Sequence, residues 1–253
     1  MKSDLPTLKS EIELGVIPFA KHNLVDKVLT FCYKDVTIDN DQLYDDGKYF
    51  FFDFCLCYQL EEEYYWKQKI LDIDKVIIDS SFYNYAPKSF AFLFYNLQNV
   101  TAYEGLEYLN FTNIEDVRSM FSENQSITSL DLSSFNTSKV KNMSYMFENC
   151  EKLQELNLSN FSTKSLIWEN KPFEEYDNGI AAMFKGCQSL KTIYANQEWQ
   201  TNEAIIASGW VFKDCVSLTG GQGSKPLDPE YDGIYARIDG GQEKPGYFTL
   251  KEE

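Results

Sequence analysis

Apolar residues recur along the middle of the chain at positions i, i+3 and i+4. Val117-Arg118-Ser119-Met120-Phe121, Met143-Ser144-Tyr145-Met146-Phe147 and Ile180-Ala181-Ala182-Met183-Phe184 share this frame, and Phe90 to Phe94 and Ser208 to Phe212 fit it more loosely. The spacing is that of one stripe of a helical turn. Six residues after each terminal Phe stands another apolar residue: Val100, Ile127, Leu153, Leu190 and Leu218. Leu130-Asp131-Leu132 and Leu156-Asn157-Leu158 then alternate apolar and polar, which predicts short strands. Each unit reads as a helical turn, a corner and a strand.

One such unit cannot bury its own apolar stripe, so neighbours must stack into ladders. Phe94, Phe121, Phe147, Phe184 and Phe212 form the expected Phe ladder, at spacings of 27, 26, 37 and 28. The spacing of 37 marks an insertion near 164–176 that contains Trp168. Insertions of this kind map to loops, which connect repeats and on occasion line a binding face.

The phrase from Leu130 to Cys150, LDLSSFNTSKVKNMSYMFENC, resembles the BspA-like (Mycoplasma-lipoprotein-type) leucine-rich repeat. Tyr108 to Phe121, Leu156 to Thr163 and Met183 to Leu190 continue the likeness. Val28 to Tyr33 is similar to the strand that opens such proteins, and Lys75 to Phe82 to their first repeat strand. Leu218 to Ser224, Tyr235 to Asp239 and Pro245 to Thr249 resemble their usual ending. The resemblance implies an α+β solenoid, a leucine-rich-repeat stack of short parallel strands and helical turns with β-rich N- and C-terminal caps. The expected organisation is a cap region over 1–70, repeats over 71–219 and a C-terminal hairpin cap over 220–253. Within these caps, strands are expected at Val28 to Tyr33 and Tyr49 to Tyr58, and a hairpin from Ile234 to Thr249. The resemblance also implies a bacterial surface or secreted protein with a role in adhesion.

Composition limits the function. The net charge is −16, which disfavours nucleic acid and anionic membranes. No apolar stretch reaches the ~20 residues a membrane helix needs. No secretory leader opens the chain, so a cytoplasmic location is expected if it is native from Met1. Cys150, Cys187 and Cys215 hold one repeat position and read as buried small residues. Cys55 and Cys57 lack partner ligands for zinc. His22, the one histidine, lies ahead of the first expected strand without a nucleophile motif. Gly220-Gly221-Gln222-Gly223-Ser224-Lys225 departs from a phosphate loop, since Pro226 follows and no helix pattern does. Asp39, Asp41, Asp45 and Asp46 lack the spacing of a calcium loop. The Asn-x-Ser/Thr triplets, such as Asn142-Met143-Ser144, read as corner residues.

Three functions compete. A non-enzymatic binding module would present the outward strand positions Ser129, Asp131, Glu155, Asn157, Thr192 and Tyr194 to a protein or glycan, with Trp199 and Trp168 as further anchors. An intracellular adaptor or inhibitor is the alternative, since reduced thiols suit the cytosol. An enzyme would need a carboxylate pair working without histidine. No cofactor, metal or transmembrane segment is expected.

Overall fold

The structure is a computed structural model, and it describes residues 16–23, 25–35, 49–52, 73–167, 179–197, 199–227 and 232–251. They fall into two compact units: up to Tyr85 together with Ala102–Asn110, and Ala86–Thr101 together with Phe111 onward.

The first unit is built on a five-stranded sheet of order β3-β1-β2-β4-β5. β1 (Val16–Asn23) pairs antiparallel with β2 (Val28–Asp35) and with β3 (Tyr49–Phe52). Asn23 closes the β1–β2 turn, its side-chain oxygen accepting from the N–H groups of Val25 and Asp26 at 3.0 and 3.2 Å. β4 (Lys75–Ile78) and β5 (Ala102–Glu104) add in parallel. Leu29, Phe31, Val76, Ile78 and Phe82 are buried, with Phe31 edge-on to Phe82 at 6.1 Å. Of the expected opening strands, Val28 to Tyr33 falls within β2 and the start of Tyr49 to Tyr58 within β3; the rest of the latter lies outside the described residues. β1 was not expected, and His22 sits within it rather than ahead of the first strand.

In the second unit the i, i+3, i+4 segments are not helical turns. Their main-chain donors alternate. The N–H groups of Phe90, Phe92, Phe94 and Asn96 donate to the carbonyls of Asp116, Arg118, Met120 and Ser122 in the next segment. Those of Leu93 and Tyr95 close tight turns onto Phe90 and Phe92. The same alternation links Val117–Glu123 to the segment of Asn142–Glu148, and Met143–Asn149 to that of Gly179–Lys185. Ala182, Phe184 and Gly186 then donate to Gly209, Val211 and Lys213. An α-helix keeps every interior N–H within itself; here half of them leave.

The chain achieves this with two left-handed residues per segment, four positions apart: Phe92 and Asn96, Ser119 and Glu123, Tyr145 and Asn149, Ala182 and Gly186, Trp210 and Asp214. The left-handed region costs a non-glycine residue about 1–2 kcal/mol. Each segment bears that cost because the turn, once made, aims alternate amides at its neighbour.

The alternation also explains the apolar spacing. Phe121, Phe147 and Phe184 are fully buried and stack face to face at 5.9 Å, with interplanar angles of 6° and 4°. Phe94 and Phe212 extend the row. Val100, Ile127, Leu153, Leu190 and Leu218 are buried as the spacing predicts. A second aromatic row contains Phe111 and Phe135, 4.3 Å apart, and Phe161 is buried at the matching position. The Phe147–Phe184 stack is undisturbed by the longer spacing, and Gly179 bridges Asn142 as the other segments bridge theirs.

β6 (Glu155–Asn157), β7 (Thr192–Ala195) and β8 (Thr249–Leu250) form a parallel three-stranded sheet. Leu130-Asp131-Leu132 forms no strand, although Leu132 is buried. The expected hairpin over Ile234 to Thr249 is not formed either. Ile238 bridges Phe248 in parallel, and Thr249 continues into β8 alongside β7. The cause is Asp239, whose carboxylate accepts from the N–H groups of Gln222, Ser224 and Gly241 and from the Ser224 hydroxyl. Gathering these donors bends the chain into a 3-10 turn at Gly241–Glu243 instead of a two-residue reversal.

A second buried carboxylate ends the ladder. Asp232 accepts from Val211 N–H at 2.7 Å and Phe212 N–H at 2.8 Å. Tyr247 and Phe248 close edge-on over Phe212 at 5.0 and 6.0 Å.

Two outcomes test this account. Phe147→Ala should cost about 3–5 kcal/mol in chemical denaturation, since it removes a central rung; a loss under about 1 kcal/mol would show that the row does not hold the unit together. Burial pushes the Asp239 carboxyl up, but its hydrogen bonds from Ser224, Gly241 and Gln222 outweigh this and leave it below its ordinary value. A depressed carboxyl adds stability above its unfolded pKa and loses it as pH falls through the folded one. Asp239→Asn should therefore lower stability at neutral pH and flatten its decline below about pH 4; an unchanged acid limb would contradict the assignment.

Candidate binding surface

The expected outward residues are Ser129, Asp131, Glu155, Asn157, Thr192 and Tyr194. The sheet sets four of them in register: Glu155 pairs with Thr192, and Asn157 with Tyr194, which pairs in turn with Thr249. Between them Leu156 and Ile193 point inward and are fully buried, so the alternation of a strand places the others outward. Ser129, Asp131, Glu155 and Asn157 are exposed, and Thr192 and Tyr194 are half-buried.

Two of these residues also serve the fold. The Asp131 carboxylate accepts from Ser133 N–H at 3.0 Å, and Asn157 accepts from Ser159 N–H at 3.1 Å. Both make an Asx turn that carries the chain round a corner. Hydrogen bonds from the side chain and backbone of Ser133 hold the Asp131 carboxyl below its ordinary value. Tyr194 is steadied by Lys251, whose ammonium lies 4.8 Å from the ring centroid. Ser129, Glu155 and Thr192 are left as the row's uncommitted polar side chains.

Trp199 does not belong to this surface. It is buried, its indole N–H donates to the Ala236 carbonyl at 2.9 Å, and its ring meets Phe248 edge-on. Aromatic type alone cannot separate an exposed anchor from a residue that seals the end of a core. Trp168 lies outside the described residues.

The remaining chemistry-bearing groups have structural partners. Asn124 Nδ2 donates to the Phe94 carbonyl at 2.7 Å. At the same position of later segments, Cys150, Cys187 and Cys215 direct their sulfurs at the carbonyls of Phe121, Phe147 and Phe184, at 3.2, 3.0 and 3.0 Å. Burial drives all three thiols far above their usual pKa, so they remain protonated donors. The loop Gly220 to Ser224 does gather amides around an anion, but that anion is Asp239. Asn142 accepts from both the N–H and the hydroxyl of Ser144, the corner role its composition suggested. Cys55, Cys57 and the acidic stretch Asp39 to Asp46 lie outside the described residues. Among the described residues no group of three or more His, Cys, Asp or Glu side chains could hold a metal ion, and no helix is long and apolar enough to cross a membrane.

These features define a repeat protein with a buried aromatic row, a buried donor row and an exposed polar row. The chain belongs to the family described as Mycoplasma protein of unknown function, DUF285, whose model matches residues 88–220. That span runs from the first alternating segment to the loop beyond Leu218. No curated protein and no solved structure matches the chain.

The donor row makes a chemical claim. Cys187→Ala should destabilise by about 1–2 kcal/mol, the worth of a buried donor and a small void. In the folded protein a maleimide should leave Cys150, Cys187 and Cys215 unlabelled, as read by peptide mass. Rapid native-state labelling of any of them would refute the assignment.

Proposed function

We propose that this chain is a BspA-like leucine-rich-repeat solenoid acting as a non-enzymatic binding module, on the surface of a bacterium or secreted from it, that holds a protein or glycan on its outward row. One observation carries the reading: Glu155 and Thr192, and Asn157 and Tyr194, stand side by side on paired strands whose alternate residues are locked in the core. Such a row is rigid before any partner arrives. Binding then costs little ordering of the main chain, which favours affinity from a modest number of contacts. The outward side chains can vary without disturbing the ladders beneath them. Tyr194 is the aromatic anchor of the row, and Lys251 sets its ring.

An intracellular adaptor is the alternative, and its main support weakens. Thiols sealed in a core stay reduced in an oxidising compartment as well, so their number is silent on location.

The test is the native chain on arrays of mucosal matrix proteins and glycans, beside the triple variant Asp131→Asn, Glu155→Gln, Tyr194→Ala. Asp131→Asn keeps an acceptor for the Ser133 turn, so the variant should keep the native Tm. Capture should weaken by at least about tenfold. Unchanged capture would remove the row from consideration.

A further inference from the structure

The chain is strongly anionic, yet among the described residues one corner of the second unit gathers lysines. Lys88, Glu115 and Lys141 hold the same position in three successive segments, because Glu115 N–H donates to the Lys88 carbonyl at 2.8 Å and Lys141 N–H to the Glu115 carbonyl at 2.7 Å. The Lys141 ammonium pairs with the Glu115 carboxylate at 2.7 Å. Lys139 reaches the Thr112 carbonyl at 2.8 Å. The Glu115 carboxyl is held below its ordinary value first by the hydrogen bond and charge of Lys141, then by the charges of Lys88 and Lys139. One carboxylate thus lies within Coulombic reach of three ammonium groups. The next segment is tied on beside them, where Ser165 donates its hydroxyl to the Ser138 carbonyl at 2.6 Å. Lys88, Lys139 and Lys141 are exposed, as are Thr112, Asn136 and Ser138.

We propose that this corner binds the carboxylate or sulfate groups of an acidic polysaccharide. Charge complementarity selects an anion. The spacing of the cations selects its kind. Rows in a ladder lie about 4.8 Å apart, so the corner offers a few separated cations, with hydroxyl and amide groups between them that suit sugar hydroxyls. Duplex nucleic acid carries a charge every ~1.7 Å of its axis, far denser than the spacing of these lysines. A glycan with one anionic group per sugar or disaccharide spreads its charge far more widely. The site is separate from the outward row, and it stands or falls independently of it.

The test measures binding of the full chain to labelled hyaluronate, which offers carboxylates, to chondroitin sulfate, which adds sulfates, and to neutral dextran. The native chain should bind one or both acidic polymers, less strongly as salt rises, and should not bind dextran. Lys88→Glu with Lys139→Glu should weaken binding by about tenfold. Glu115→Gln should strengthen it severalfold, an outcome that a merely structural role for the pair would not produce. Both variants are on the surface and should keep the native Tm. Should either fail to fold, the comparison of the three polymers on the native chain still decides. Absence of binding to both acidic polymers, equal binding to dextran, or no response to Glu115→Gln in a folded protein would overturn the proposal. So would binding confined to anionic lipid vesicles or single-stranded DNA. Loss of matrix-protein capture by the row variant, with acidic-glycan binding intact, would show the two surfaces to be distinct.

Discussion

Half the amides of each repeated turn are bonded to the next segment rather than to their own. This one constraint governs most of the second unit. An amide that leaves its segment fixes the neighbour's height, and three or four of them in alternation fix its register. Side chains at matching positions then fall directly above one another. Phe121, Phe147 and Phe184 stack nearly parallel because their main chains are already aligned. The cost appears in the backbone, as paired left-handed residues in every segment. At Gly186 the position is filled by the one residue type that meets it freely, and a side chain there would strike Asn149 in the segment before. Elsewhere residues as large as Phe92, Tyr145 and Trp210 accept the strain.

A ladder of this kind leaves polar groups inside and donors at its end. The interior is handled by a row of side-chain donors placed three residues after each key Phe. Asn124 begins the row and three cysteines continue it, all giving a hydrogen bond to the Phe carbonyl of the preceding segment. A thiol is a weak donor, but it is small and tolerates apolar surroundings. The end is handled by a buried carboxylate. Asp232 takes the Phe212 amide that a further segment would have used, together with the Val211 amide, whose counterparts in the earlier segments close the tight turn. Asp239 does similar work for the loop Gly220 to Ser224. The cysteines and the glycine-rich loop resemble reactive equipment in the sequence, and they, like the two aspartates, serve the ladder.

Legibility in the sequence followed periodicity. The Phe row, the apolar residue six positions later, the cysteine row and the interruption before Gly179 are visible because the same residue types recur at fixed intervals. The conformation behind that recurrence is not visible in the same way. An i, i+3, i+4 stripe is shared by a helical turn and by a turn that alternates its donors, and only the left-handed positions separate them. The first position of each pair holds Phe, Ser, Tyr, Ala or Trp, which give no sign of it, and only the second, with Asn96, Asn149 and Gly186, carries residue types that favour it. β1 escaped notice because nothing repeats it. The hairpin expected around Asp239 failed because a turn-prone sequence does not reveal that its aspartate collects donors from far along the chain. Strand alternation accounts for the exposure of Glu155 and Asn157 beside the half-buried Thr192 and Tyr194, whereas residue type alone does not reveal that Trp199 is buried.

The charge of the chain has a distribution that its total conceals. Lys and Arg nearly balance Asp and Glu among the described residues, and almost all of the acidic excess belongs to the remainder. A net charge of −16 is therefore a poor guide to what the described surfaces can hold. Two half-buried carboxylates on the turn segments are engaged, Glu115 by Lys141 and Glu148 by Lys185, each pair joining one segment to another at 2.7 Å. Such pairs add little stability when exposed. Their stronger effect is local: a lysine matched by a carboxylate is spent, and one without a match sets the sign of its corner. Counting charge segment by segment, rather than over the whole chain, is what brings a cationic corner into view on an acidic protein. The ladder makes such counting meaningful, because it holds each charge at a known height beside the next.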